Sequence, residues 1–528
     1  MKRRTLLLGA GAVPLAAQFA HAQQDAVVVA IGDTINSLDI HRSGTNRTSY
    51  QVAVNAYDRL LGFGTKANAD GSVAYDYNSL HGELAESWTV AEDGLSATFK
   101  LKPNAVFQDG SPVTADDVKW SFDRAVSIGG FPTSQMAAGR LEKPEQFEAI
   151  DPQTFRIAFT RRSKLTLPDL AVPVAIVINA RVAKAHATAA DPWAADWLNR
   201  NTAGSGAFRV ERWDPGQQLI YVRHDKWVGG ALPKLRRVIV REIPNQSTRR
   251  ALIERGDVQL SFDIPGRDAA DMAATGKDKV VGLPMDNTLY ALIPNFEFAP
   301  FRDKRVRQAM AYALPYEQMF AQAAYGRGVK MWGGPAAPAI PVWPQPSPYA
   351  TDLDRARALM AQTDHKDGFE VPLAFDIGTS SWSEPAALLV QEGLAKIGIK
   401  CAIDRVPGAN WRTIALVQKK LPLIIDGFGG WLNTPDYYFY WAYTKGPLFN
   451  AGNYDNPEMA ALVAQTLDMD AADPAYAPAI LRMVAIAWDD LPRIPLWQPW
   501  LDSAMVPKLD GYQFWFHRGL DARPLAVG

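Results

Sequence analysis

The chain has one cysteine, Cys401. An internal disulfide is therefore impossible, and a cysteine-built metal cluster is excluded. Excess charge of one sign is also lacking. Lys and Arg number 55 against 56 Asp and Glu, for a net charge of −1. Nucleic acid or an anionic membrane surface would find no broad basic face to bind. Beyond the first residues, no apolar run is long enough to span a bilayer. The nearest, residues 170–180, is short and carries Pro173 and Asn179. Histidine is sparse and scattered, with no pair at metal-ligand spacing. HExxH, P-loop and dinucleotide fingerprints are absent, and "AGSGA" at 203–207 is not the G-x-S-x-G of a nucleophile elbow. No residue pattern supports catalysis, and no cofactor is expected.

What is present starts at the N-terminus. Lys2, Arg3 and Arg4 precede a mostly apolar, small-residue run from Thr5 to Ala17, and Ala20-His21-Ala22 has the form of a cleavage site. Residues 1–22 thus read as an export signal, either an ordinary secretory one or, from Arg3-Arg4, a twin-arginine one. Its removal would take three positive charges and leave a net charge of about −4. No lipobox cysteine follows, so a free periplasmic protein is expected. A length of 528 residues exceeds one core and implies two or three domains. Hydrophobic residues at 48% and charged residues at 21% exclude large-scale disorder. Sixteen Trp and seventeen Tyr favour surfaces that offer a ligand ring area with a polar tip.

Local patterns mix helix and strand. Trp88–Val90 and Ala97–Leu101 read as strands joined by the turn "AEDGLS". Thr114, with Asp117 three residues on, opens a helix whose inner face is Val118, Phe122, Ala125 and Val126. A second helix is predicted over Arg302–Ala313, with Val306, Ala309, Met310 and Ala313 inward, ended by Pro315. A third is predicted from about Glu384 to Ile397, with Ala387, Val390, Leu394 and Ile397 inward. Gly398 is its exit and "IKCAIDRV" the strand after it. Helix then strand, repeated over residues 300–430, indicates an α/β lobe. The loop from Trp332 to Pro348 is rich in Gly and Pro and reads as an exposed connection.

Four segments resemble one family. "LAESWTVAEDGLSATFKLKPNAVFQDGSPVTADDVKWSFDRAV" is similar to the signature block of extracellular solute-binding protein family 5, the dipeptide-, oligopeptide- and nickel-binding components of ABC importers. "GSGAFRVERWDPGQQLIYVRHDKWVGG", "NFEFAPFRDKRVRQAMAYAL" and "YATDLDRARALMAQ" resemble three further family blocks, in the expected order. The resemblance implies an α/β, two-lobe periplasmic-binding-protein fold, type II, of the large class with an extra subdomain. Lobe I would comprise residues 26–293 and 496–528, with a subdomain at about 49–200, and lobe II residues 294–495. Segments near Tyr290–Asn295 and Trp497–Trp500 would form the hinge, and closure would bury a ligand between the lobes. The implied partners are a small or peptide-like solute and an inner-membrane permease, with the chain acting as a monomer and binding no nucleic acid.

The stretch "GFGGWLNTPDYYFYW", Gly427 to Trp441, follows the apolar strand "LPLIID". Glycines there let a backbone approach a ligand closely. By resemblance, this segment lines the cleft and its backbone pairs with an extended ligand. Gly427, Phe428, Gly429, Gly430, Trp431 and Asn433 are the expected cleft residues, whereas the rings from Tyr437 onward are expected to pack a helix. The resemblance also implies an acid that anchors a peptide's amino terminus, and at that position stands Trp431. Where dipeptide binders carry an arginine for the carboxylate, this chain has Ile377, with Trp382 close by. Leaving a buried charge unpaired costs about 3–5 kcal/mol, against about 0.5–1.5 kcal/mol for a stacked ring beyond its area. Free dipeptides are therefore expected to bind poorly. Blocked peptides, peptide-like conjugates, opines or sugar-like compounds suit Trp382 and Trp431 better. Asp426 or Asp436 could replace the missing acid, and Asp436 could equally cap a helix. Thr45 and Asn46, in a loop resembling the family's S-L-D-P stretch, either touch ligand or cap the helix beginning near Ser49. A different class of function, an exported hydrolase of similar compounds, remains the alternative.

Overall fold

The computed structural model describes residues 26–528 except Asp263. The expected export signal lies outside the described residues. Two lobes share one long sheet. In the first, Ala26–Ile31 pairs in parallel with Arg237–Glu242 and Leu260–Ser261, and the antiparallel strands Gln218–Arg223 and Phe208–Asp214 extend the edge. In the second, Phe369–Asp376 lies parallel to Ile399–Val406 and Leu423–Gly429, and Leu423–Gly429 pairs antiparallel with Thr288–Pro294. The strand Ile494–Met505 serves both lobes. Its C-terminal half pairs with Lys279–Pro284 and its N-terminal half with Thr288–Pro294. The chain thus changes sides at Met285, Asp286 and Asn287, opposite Gln498 and Pro499.

Amphipathic patterning holds where it was legible. Ala115–Ser127 packs over a four-stranded sheet, and Val118, Phe122, Ala125 and Val126 are all buried. The Asp117 carboxylate accepts from the backbone N–H and the hydroxyl of Thr114, at 3.0 and 2.7 Å. Strands Ala85–Val90 and Ser96–Leu101 form the expected hairpin, and Ile399–Val406 occupies the residues predicted for it. The second helix begins at Lys304, because Asp303 takes the cap and Ala299–Arg302 forms a 3-10 turn ahead of it. The third, Ser380–Ala395, starts a turn earlier than the expected Glu384 and carries Pro385 inside. Its residues Ala387, Val390 and Leu394 join Leu373, Ile399 and Met310 in the second lobe's core.

One buried ion pair positions the cleft. Arg124, on the helix Ala115–Ser127, donates from Nη1 and Nη2 to the two oxygens of Asp39, at 3.0 and 2.6 Å. Both side chains are buried. Burial pushes the Asp39 carboxyl up, but Arg124 outweighs it and holds it below the usual range. The Asp39 backbone carbonyl in turn accepts from Thr45 Oγ1 at 2.8 Å. The loop ahead of residue 47 is therefore fixed to the first lobe.

Candidate ligand cleft

The second-lobe strand Leu423–Gly429 supplies the floor. One edge pairs with Thr288–Pro294 along its full length, Gly427 opposite Tyr290 and Gly429 opposite Thr288. The ladder to Phe369–Asp376 covers only Leu423 and Ile424. From Ile425 to Gly429 the second edge has no strand partner among the described residues. An extended ligand can add to such an edge by main-chain hydrogen bonds.

The glycines here make close approaches, but to the protein itself. A β-carbon at Gly427 would lie 2.6 Å from the Tyr290 ring. One at Gly429 would overlap Thr288 Oγ1, and one at Gly430 the Tyr437 ring. Tyr290 in turn stacks on Trp382, with ring centroids 3.6 Å apart and planes at 10°, and Trp497 meets both edge-on. Gly427→Ala is therefore expected to displace Tyr290, unstack Trp382 and cost about 1–3 kcal/mol. Chemical denaturation would measure it, and an unchanged midpoint would show that Tyr290 swings aside freely.

Trp431 closes the other end. It is buried, and meets Tyr50 at 5.2 Å and Phe131 at 5.1 Å, both edge-to-face. Tyr50 and Phe131 belong to the first lobe, so the indole spans the two lobes. Phe428 is packed between Tyr438 and Phe449, with Arg493 over its ring at 5.9 Å. Tyr437, Tyr438, Phe439, Trp441 and Tyr443 are buried on the helix Pro435–Tyr443. Asn433 lies apart, in a cavity of about 380 Å³ beside the cross-over, with Tyr75, Tyr77, Asp286, Trp500 and Arg518.

Thr45 and Asn46 have their polar groups engaged. Thr45 donates to Asp39 as described. Asn46 Oδ1 accepts from the Ser49 backbone at 3.1 Å and caps the turn Arg47–Ser49, and its Nδ2 donates to Asp33 and the Thr34 carbonyl. The helix Tyr50–Ala56 follows. Asp436 sits in the first turn of its helix, whose cap position is Thr434. Fully buried, its carboxylate accepts from Lys164 at 2.5 Å and from the Tyr476 hydroxyl at 3.1 Å.

Charges gather here that no motif announced. Arg47, Tyr50, Arg412, Tyr290 and Asp426 share one electrostatic neighbourhood. Burial lowers the Arg47 pKa, and the like charge of Arg412 adds to it. Asp426 is pushed up to about 6 by burial, with Asp376 adding and Arg493 and Arg47 opposing. Arg47, next to two expected contact residues, was visible as a base in that loop. Its approach to Asp426, 379 positions along, was not.

Comparison with known proteins fits this architecture. Residues 79–450 match the family described as bacterial extracellular solute-binding proteins, family 5 middle. The probable D,D-dipeptide-binding periplasmic protein DdpA of Escherichia coli K12 is 28% identical, over 97% of this chain and 96% of its own length. The glutathione-binding protein GsiB of E. coli O6:K15:H31 is 27% identical, over 92% and 91%. Among solved structures, the binding protein AgaA of A. tumefaciens R10, in complex with agropinic acid, superposes with a TM-score of 0.80 at 23% identity, covering 95% of this chain and 99% of its own. DppA of Helicobacter pylori, bound to the peptide STSA, gives 0.80 at 21%, covering 96% and 99%. No helix among the described residues is long and apolar enough to cross a membrane. With 70% of its length inside the match, the chain belongs to the bacterial extracellular solute-binding proteins of family 5.

Proposed function

We propose that the protein is the periplasmic receptor of an ABC importer, and that it takes a small peptide-like or opine-like solute between its lobes and hands it to an inner-membrane permease. The observation that carries the reading is the strand edge Ile425–Gly429, unpaired among the described residues and walled by Trp382 with Tyr290 at one end and Trp431 at the other. Lobe I is taken as residues 26–293 with 496–528, including the subdomain at about 49–200, and lobe II as 294–495. The ligand set is the main chain of Gly427, Gly429 and Gly430 with the rings of Trp382 and Trp431. Thr45, Asn46 and Phe428 support it from behind, and Asn433 and Asp436 stand at its margins. Export through residues 1–22 and a monomeric state belong to the same reading. The relatives' printed names support it, since they are binding proteins for D,D-dipeptides and glutathione.

A free dipeptide is expected to be a poor ligand. Trp431 cannot pair with its ammonium, and Asp426 already faces Arg493 and Arg47. Calorimetric titration of the purified mature protein with blocked and unblocked dipeptides, glutathione and mannopinic acid tests this, alongside mass spectrometry of whatever co-purifies. Stoichiometric binding with the compound recovered unchanged is the expected result. Turnover of the bound compound would refute the receptor and favour the hydrolase, and nanomolar binding of an unblocked dipeptide would refute its weak-ligand status.

A further inference from the structure

The helix Pro457–Leu467 ends with the wrong charge. Its last turn has no basic residue, and Asp468 stands at its C-cap. An acid beside the unsatisfied carbonyls of a helix C-terminus is unfavourable, because the two fields have the same sign. The cations that offset it come from the segment taken as the first-lobe subdomain. Arg140 donates from Nε to Asp468 Oδ1 at 2.9 Å, and its Nη2 lies 2.6 Å from the same oxygen. Arg161 Nη1 reaches Oδ2 at 3.2 Å. Lys164 Nζ donates to the Thr466 and Met469 carbonyls at 2.6 and 3.2 Å, and Ser163 Oγ to the Leu467 carbonyl at 3.3 Å.

The basic side of this contact is held in place before the helix reaches it. Arg140 has φ at 65°, in the left-handed region that a residue other than glycine adopts at a cost. Gln146 is buried and ties that turn to the strand Thr154–Ala158. Its Nε2 donates to the Arg140 carbonyl at 2.9 Å and to the Ala158 carbonyl at 3.0 Å. Its Oε1 accepts from the backbones of Glu142 and Lys143 at 2.7 and 3.0 Å. Arg161, Ser163 and Lys164 follow the end of that strand, so both arms of the cradle start from one fixed point.

None of these bonds involves Ile425–Gly429, Trp382 or Trp431, so the contact joins the proposed lobes without any cargo. One exposed ion pair would contribute little, but several bonds to a single helix end act as a network. Part of that network is open to solvent: the side chains of Arg161 and Asp468 are 50% and 29% exposed. We propose that this helix end and its basic cradle form a latch that closes the lobes without cargo, so that the ligand-free protein populates the closed form and salt opens it. The inference rests on the receptor reading above and its lobe boundaries. Screening shortens the reach of such charges from about 8 Å at physiological salt to about 3 Å at 1 M. A receptor whose competent form is less populated binds more weakly by that fraction, so salt lowers the affinity for every solute, charged or not.

The test uses the full mature chain without ligand. At low salt, small-angle scattering should give D468N and R140Q/R161Q a larger radius of gyration than the parent, and D468E, which keeps the charge, the parent's radius. Raising salt to about 1 M should bring the parent to the D468N radius and leave D468N unchanged. D455N breaks the exposed pair with Lys445 in the same lobe and should match the parent throughout. Circular dichroism checks that each variant is folded. A folded D468N with the parent's radius at low salt overturns the proposal, and so does a parent radius that ignores salt. A lower denaturation midpoint with no change in radius would also overturn it, by assigning the contact to fold stability alone. Failure of the receptor reading shows separately, as turnover in the titrations above, because the scattering reads the latch with no ligand present.

Discussion

Lys164→Met should lower the free energy of unfolding by about 3–5 kcal/mol. Asp436 is fully buried on the helix Pro435–Tyr443, and its partner comes from another part of the chain. Lys164 follows the strand Thr154–Ala158, within the segment taken as the first-lobe subdomain. Its Nζ donates to Asp436 Oδ2 at 2.5 Å and to the Thr466 and Met469 carbonyls at 2.6 and 3.2 Å, and it lies over the Tyr476 ring at 4.7 Å. Methionine would fill the space and leave the carboxylate with only the Tyr476 hydroxyl. Surface pairs such as Arg357 with Asp354 would cost about 1 kcal/mol or less. Urea denaturation measures the difference, and a loss under 1 kcal/mol would show that water reaches Asp436. Because the pair joins the proposed lobes, the loss should fall on the closed form. If closure makes the pair, ligand affinity should drop by two to three powers of ten. Asp436→Asn on the Lys164→Met background should recover most of the stability, since no unpaired charge would then be buried.

How far the sequence could be read depended on how local each determinant is. Periodicity located Ile399–Val406 and the buried stripe of Lys304–Ala313, because both are written in neighbouring residues. It misplaced the start of Ser380–Ala395, since the apolar stripe it followed begins only at Ala387. In the fold, the turn Ile377–Thr379 leads straight into the helix, and Trp382 is held by Tyr290 and Trp497, some ninety residues before it and over a hundred after it. The glycines of residues 427–430 were legible as close approaches, but the atoms they approach were not. Tyr290 and Thr288 come from the paired strand, and Tyr437 from the next helix. The indole at 431 was visible as a departure from the family pattern. Its contact with Tyr50 and Phe131 depends on two lobes meeting, which no local pattern encodes. The charges follow the same rule: each is an ordinary base in its own segment, and only the fold brings Arg47 and Arg493 to Asp426.

Asp169→Asn should raise stability at pH 8 by several kcal/mol and leave it almost unchanged at pH 4. Asp169 is fully buried. Its Oδ1 accepts from Gln135 Nε2 at 2.6 Å, Gln135 Oε1 accepts from the Tyr437 hydroxyl at 2.6 Å, and its Oδ2 has no side-chain partner. No cation offsets the loss of water, so burial pushes this carboxyl up to about 8. The direction of the effect follows from linkage. An acid whose folded pKa is raised contributes stability that is full below its unfolded pKa, near 4, and is lost as pH rises through its folded pKa, near 8. Each unit of difference corresponds to about 1.4 kcal/mol, so the parent should lose several kcal/mol across that window. Asparagine keeps the bond from Gln135 and cannot ionise, so its stability should stay flat over the same range. Denaturation at pH 4.5, 6 and 8 separates the two proteins, and parallel curves would mean that Asp169 ionises freely in the folded state. The chain from Asp169 through Gln135 to Tyr437 joins the first-lobe turn Thr166–Asp169 to the helix that follows Trp431. Ionisation of Asp169 should therefore loosen the same contact that Lys164 holds. The closed form would then be favoured below neutral pH and opened above it, and in the Asp169→Asn variant this dependence should vanish while the Lys164 effect remains.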